Sequence, residues 1–247
     1  MTSSVKTDPS HAREDALRDD LSVIQAGATV RSVYVYELPV RIWHWVNALS
    51  IVVLIITGYL IARPLPTPMG EASDHYMMGY IRFAHFTAGY LMGVGFLGRV
   101  YWACVGNIYS KELFWVPLFQ LEYWKDVWAM FLWYAFVVDR PAQFIGHNPL
   151  ARVSMFFVYM AVSVFMMLSG FAMYSEGQQP GAWYEQLFGW VITLMGQSQD
   201  VHTWHHMGMW ATIIFIMLHI YAAIREEITS RQSMVSTMVS GYRTFKD

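Results

Sequence analysis

Polar and apolar positions divide this chain into a polar opening followed by a series of long apolar blocks. Residues 1–30 are polar and charged, with neither helical nor strand periodicity, and read as a disordered tail ahead of a single membrane domain, 31–247. Four blocks then hold the roughly 20 apolar residues a helix needs to cross a hydrocarbon core about 30 Å thick. Three of them, 42–62, 153–174 and 203–224, contain no Asp, Glu, Lys or Arg, and the fourth, 83–106, contains only Arg99 near its end. In chain order, 42–62, 83–106, 153–174 and 203–224 are helices one to four. Two shorter runs, 127–138 and 186–196, cannot cross and suit the interface or the flank of a bundle. The pattern predicts an all-α polytopic membrane protein, a bundle of four transmembrane helices.

Composition agrees. Of 247 residues 55% are hydrophobic and 14% charged, against about 25% charged in an average soluble domain. A net charge of -2 offers no basic excess, which excludes nucleic acid as a partner. The single cysteine, Cys104, excludes an intrachain disulfide, a Cys-ligated iron–sulfur cluster and a thioether-linked c-type haem. No cleavable leader pattern precedes helix one, which is expected to remain in the mature protein. With four spans, 14 of the 16 Lys and Arg fall on the side of the termini and the 107–152 connection, leaving Arg63 and Arg82 opposite. The positive-inside rule then makes both termini cytoplasmic and the 175–202 connection external.

Ionisable side chains inside a bilayer are expensive and usually functional. His44, His85, His205 and His219 all lie within the predicted helices. His205 and His219 are 14 residues apart, about 40° short of four full turns, so they share a face of helix four with about 21 Å between them along its axis. His206 falls on nearly the opposite face, and phase therefore selects His205. Matching depth across the membrane pairs His44 with His219 near the cytoplasm and His85 with His205 near the outer surface. Two imidazoles on opposite sides of an iron porphyrin hold a b-type haem, whereas zinc calls for about four ligands in one tetrahedron. Two haems b, with four histidines as iron ligands, are thus expected between helices one, two and four. With no open axial position, their task is electron transfer.

Other residues suit that arrangement. Gly58, 14 residues after His44, would let a porphyrin approach at the outer level, although a helical glycine also serves plain packing. Arg41 and Arg82 each precede a ligand by three residues, and Arg99 follows His85 by 14. All three suit haem propionates, while Arg41 and Arg99 also satisfy the positive-inside rule. His11, His75 and His147 read as solvated or turn residues. No Ser/His/Asp set, Walker loop or Rossmann glycine pattern stands in a suitable context.

The run Arg41-Ile-Trp-His44-Trp45 continuing to Thr57-Gly58, and the run His202-Thr-Trp-His205-His206-Met-Gly-Met-Trp210 continuing to His219, resemble the signatures of the cytochrome b subunit of membrane-bound nickel–iron uptake hydrogenases. The likeness runs on through Gly79-Tyr80-Ile81-Arg82 with His85, Val105-Gly106-Asn107, Gly146-His147-Asn148-Pro149 and Gly241-Tyr242-Arg243, covering about residues 34–245. The resemblance implies an inner-membrane protein with two haems b that anchors a periplasmic hydrogenase. Its implied partners are the nickel–iron large subunit and the iron–sulfur small subunit with its membrane helix, and its implied electron acceptor is a quinone. By analogy with the related formate dehydrogenase gamma subunit, the quinone would bind near His44 and His219. No hydrogen chemistry is expected of this chain alone. The cytochrome of another periplasmic oxidoreductase, of formate dehydrogenase or thiosulfate reductase type, and a haem-free membrane anchor stand as alternatives.

Overall fold

The structure is a computed structural model, and it describes residues 5–6, 23–24, 30–66, 68–71, 74–139, 142–179, 181–230 and 232–246. Most of the expected tail, 1–30, and with it His11, lies outside the described residues. The chain is mostly helical. In order, the elements are β1 (Val5–Lys6), β2 (Val23–Ile24), β3 (Val30–Tyr34), α1 (Leu38–Ala62), α2 (Met77–Val105), α3 (Leu121–Tyr134), β4 (Gln143–Phe144), α4 (Pro149–Glu176), α5 (Trp183–Met195), α6 (Ser198–Thr229), α7 (Thr237–Ser240) and β5 (Tyr242–Lys246).

Predicted helices one to four correspond to α1, α2, α4 and α6, each longer than its apolar block. Backbone hydrogen bonding carries a helix past the hydrocarbon boundary until a cap or breaker stops it, so hydropathy marks the apolar block and not the helix end. Asn148 caps α4, its side chain accepting from the Ala151 N–H at 2.7 Å, and Pro149 stands in the first turn, where a missing N–H does no harm. Within α4, Met155–Met160 widens to a π-helical turn. Among the described residues, α1, α4 and α6 are long and apolar enough to cross a membrane. The 29 residues of α2 have the length, yet α2 is not among these three. The short runs at 127–138 and 186–196 overlap α3 and α5, of 14 and 13 residues; the first runs on past the end of α3 at Tyr134, and the second ends at Gly196, the residue that follows α5.

A small sheet, order β2-β3-β5, was not foreseen. β3 and β5 pair antiparallel from Val30 opposite Lys246 to Tyr34 opposite Tyr242. These strands come from opposite ends of the sequence, a pairing no local periodicity reports. β1 pairs parallel with β4.

The chain forms two compact units, and each of the four long helices contributes to both. The first unit comprises the described residues up to His44, Arg99–Met160 and the chain from Ile216 onward. Val35, Tyr36, Val40, Ile108 and Tyr109 make one of its apolar clusters, and Met130, Trp133 and Phe144 another. Arg225, on α6, donates to the last carbonyls of α3, those of Trp133 (2.7 Å) and Tyr134 (2.9 Å), so a cation caps that helix. The second unit comprises Trp45–Gly98 and Ala161–Phe215. There α5 packs along α4, with Phe188 stacked on Phe171 at 5.2 Å.

Candidate haem-binding site

In the first unit, the rings of His44 on α1 and His219 on α6 have centroids 6.4 Å apart and planes inclined by 49°. Two imidazole nitrogens each about 2.0 Å from one metal atom put the ring centres about 6 Å apart, so the spacing fits a metal held between them. In the same unit Arg99 is only 4% exposed, its guanidinium 5.5 Å from the ring of Trp43, the residue before His44, and 5.3 Å from the Phe114 ring. Its Nε and Nη1 have no hydrogen-bond partner among the described residues. A buried cation lying over aromatic rings with two such donors left over fits an anionic group such as a haem propionate. Arg41 is used differently, since its Nη1 donates to the Val239 carbonyl at the end of the chain.

The second unit holds His85 on α2 and His205 on α6, and a Cβ on Gly58 would meet both the His85 ring, at 3.3 Å, and Met209, one turn after His205, at 4.0 Å. The Thr57 hydroxyl lies 2.8 Å from His85 Nδ1, and the Ser169 hydroxyl 2.7 Å from His205 Nδ1. Each hydroxyl donates its one hydrogen to its own helix, Thr57 to the Val53 carbonyl (2.6 Å) and Ser169 to the Phe165 carbonyl (2.7 Å). The oxygen lone pairs are left to accept, which suits the tautomer with the proton on Nδ1, the one that leaves Nε2 the lone pair a metal needs. A Cβ at Gly58 would stand 3.3 Å from His85 Cε1, and one at Gly170 would stand 3.3 Å from His205 Cε1. Each imidazole therefore rests against a glycine.

Other predicted positions stand apart from these pairs. Arg82 is exposed, one turn before His85. His206 is engaged along its own helix, where the Trp210 indole N–H donates to its Nε2 at 3.3 Å. His147 sits in a turn, as expected, but within a polar cluster the sequence did not reveal. Its backbone N–H (3.1 Å) and its Nδ1 (2.8 Å) both meet the Glu112 carboxylate, and the Tyr36 hydroxyl is 2.8 Å from the same ring nitrogen. Gly146, at φ 87°, turns the chain there, and a Cβ on it would collide with Glu112. Burial first, and then the Glu112 charge, pushes the Tyr36 hydroxyl well above the usual tyrosine range. Ser169 and Gly170 were missed too, because helix three carries no histidine to draw attention to it.

Apolar spanning helices that carry paired imidazoles define a class, the membrane cytochromes of b type. The profile of the prokaryotic cytochrome b561 family matches residues 35–241. The chain is 60% identical over 233 residues, 94% of this chain and 96% of the relative, to a protein named probable Ni/Fe-hydrogenase B-type cytochrome subunit in Cupriavidus necator. A protein of the same name in Azotobacter vinelandii is 59% identical over 87% of this chain and 90% of its own. The probable Ni/Fe-hydrogenase 1 B-type cytochrome subunit of Escherichia coli K12 is 47% identical over 90% and 95%. The chain belongs to this family, that of the prokaryotic cytochromes b561 and the Ni/Fe-hydrogenase B-type cytochrome subunits. It is an integral membrane protein of electron transport, and its membership implies b-type haem.

Proposed function

We propose that this chain is the di-haem b anchor and electron conduit of a hydrogen-oxidising complex in a bacterial inner membrane. In this reading, electrons from the iron–sulfur small subunit of a periplasmic nickel–iron hydrogenase pass through it to the quinone pool. Both of its termini are cytoplasmic, and α2 is the fourth span. Support for that span comes from its length and from the apolar side chains it exposes, among them Phe83, Leu91, Val94 and Leu97. The observation that carries the reading is that His44 and His219 meet within one compact unit while His85 and His205 both belong to the other.

His85 and His205 would hold the outer haem and His44 and His219 the inner one. A b-type haem so held would supply one-electron iron chemistry. What the protein adds is orientation and charge. Buried Arg99, and to a lesser degree Arg41, would neutralise propionates at the inner haem, and exposed Arg82 would do so at the outer. Gly58 gives the close approach at the outer pair. Partner contact falls to the outer face, with the membrane helix of the small subunit alongside, and quinone to the neighbourhood of His44 and His219. The name of each relative supports the hydrogenase as partner.

The test is a pyridine haemochrome count on the purified polypeptide, with two haems b per chain expected. His205→Ala should leave one, and should stop hydrogen-to-quinone electron flow while the hydrogenase still reduces an artificial dye. A colourless protein, or undiminished haem in the variant, would refute the reading.

A further inference from the structure

Helices α1 and α4 present the same two-residue device to the second unit. Thr57-Gly58 and Ser169-Gly170 each pair a hydroxyl bound to the carbonyl four residues back with a glycine one position on. The hydroxyl meets Nδ1 of one histidine, at 2.8 Å for His85 and 2.7 Å for His205, and the glycine faces Cε1 of the same ring. Both hydroxyl residues are buried, Thr57 at 8% and Ser169 at 0% exposure. The parallel is close in distance and chemistry, although α1 carries a histidine of its own and α4 carries none.

We propose that Thr57 and Ser169 are a matched pair of positioning residues that fix the tautomer, the ring orientation and the electron-donor strength of His85 and His205. The inference rests on these two histidines being the iron ligands of the outer haem. A serine or threonine in a helix satisfies its own hydrogen through the preceding turn, so in hydrocarbon it can serve only as an acceptor to a neighbour. That restriction forces Nδ1–H on the histidine and leaves Nε2 for iron. Accepting the Nδ1 hydrogen also makes the imidazole more basic, which favours ferric over ferrous iron. The glycine removes the side chain that would otherwise tilt the ring. With one acceptor for each histidine, the two imidazoles would be matched in donor strength, and α4 would take part in the site without supplying a ligand.

The test uses the full-length cytochrome in membranes, titrated electrochemically, with the outer haem identified as the signal missing from H205A. Thr57→Val and Ser169→Ala should each keep two haems per chain. At the wild-type midpoint, each should raise the reduced-to-oxidised ratio of the outer haem about fivefold, the worth of one hydrogen bond. The double variant should multiply the two effects, and the inner haem should not move. The low-spin electron paramagnetic resonance signal of the outer haem, which reports the angle between ligand planes, should change with it. Thr57→Ser and Ser169→Thr keep the acceptor and should restore both readouts. Loss of the haem in T57V with retention in T57S would equally support the role of the hydroxyl. Unchanged ratio and spectrum in T57V and S169A, a shift of the inner haem, or the same defect in T57S as in T57V would overturn the proposal and leave the ligand assignment standing. Full haem content in H205A would instead strike the ligand assignment, and this inference with it.

Discussion

The two compact units bury polar groups of different kinds. Among the described residues of the unit that contains His85 and His205, the buried polar side chains are all hydroxyls: Ser50, Thr57, Ser163, Ser169 and Ser175. In the unit that contains His44 and His219, they include Arg99, Glu112, Asp126, Arg152, Glu226 and Arg243. A hydroxyl on a spanning helix gives its hydrogen to its own turn and keeps its lone pairs for a neighbour, as Thr57 does beside His85 and Ser169 beside His205. A buried charge must be compensated by a network, and one is present: the Tyr134 hydroxyl donates to Glu226 at 2.7 Å, Asn148 donates to the same carboxylate, and Glu112 holds the turn at His147. The contrast teaches that the unit of His85 and His205 buries groups each helix satisfies for itself, whereas the unit of His44 and His219 buries charges that segments far apart in the chain must satisfy together.

The largest effect that would break this comparison comes from His219→Ala. It should halve the haem count, from two to one, leave the haem of His85 and His205 in place, and abolish quinone reduction by hydrogen; haemochrome and redox titration check each part. Next, Gly58→Leu should displace His85 and lose the outer haem alone, because the glycine has only 3.3 Å of clearance from that ring to a first added carbon. Gly98→Ala, where an added carbon meets nothing within 4 Å, should be silent in the same count.

Stability should separate the units in turn. Glu112→Ala strips the acceptor from the His147 ring and backbone and should destabilise by about 3 kcal/mol. Ser175→Ala removes only a bond to the Ala172 carbonyl of its own helix and should stay within about 0.5 kcal/mol. Thermal denaturation of the two purified variants measures the difference. A smaller, pH-dependent effect follows from Tyr36. Because its folded pKa is raised, the folded chain holds a proton that the unfolded chain gives up above about pH 10, so stability falls as pH climbs past that value. Tyr36→Phe should flatten this alkaline decline in melts recorded from about pH 9 to about pH 11. Smallest of all, His206→Ala should retain both haems, since His206 engages Trp210 on its own helix.

Much of this was legible without coordinates. Apolar blocks located the long helices, and helical phase separated His205 from His206. Helix ends were less legible: α2 begins at Met77, six residues ahead of its apolar block, and α6 runs on to Thr229 through Arg225, Glu226 and Glu227. Tyr242–Lys246 was unreadable as a strand because its partner, Val30–Tyr34, lies some 200 residues away. Glu112 and Tyr36, on separate segments, gave no sign of meeting at His147.

The sequence by itself determined the long helices, their apolar character and which histidines share a helix face, because those properties depend on a local period of 3.6 residues that any helix obeys. Only the tertiary structure decided that Ser169 and Gly170 face His205, that Arg99 lies over Trp43 and Phe114, and that a sheet joins the two ends of the chain. Such contacts depend on how each helix is rotated and how distant segments meet, and packing of the whole chain sets both.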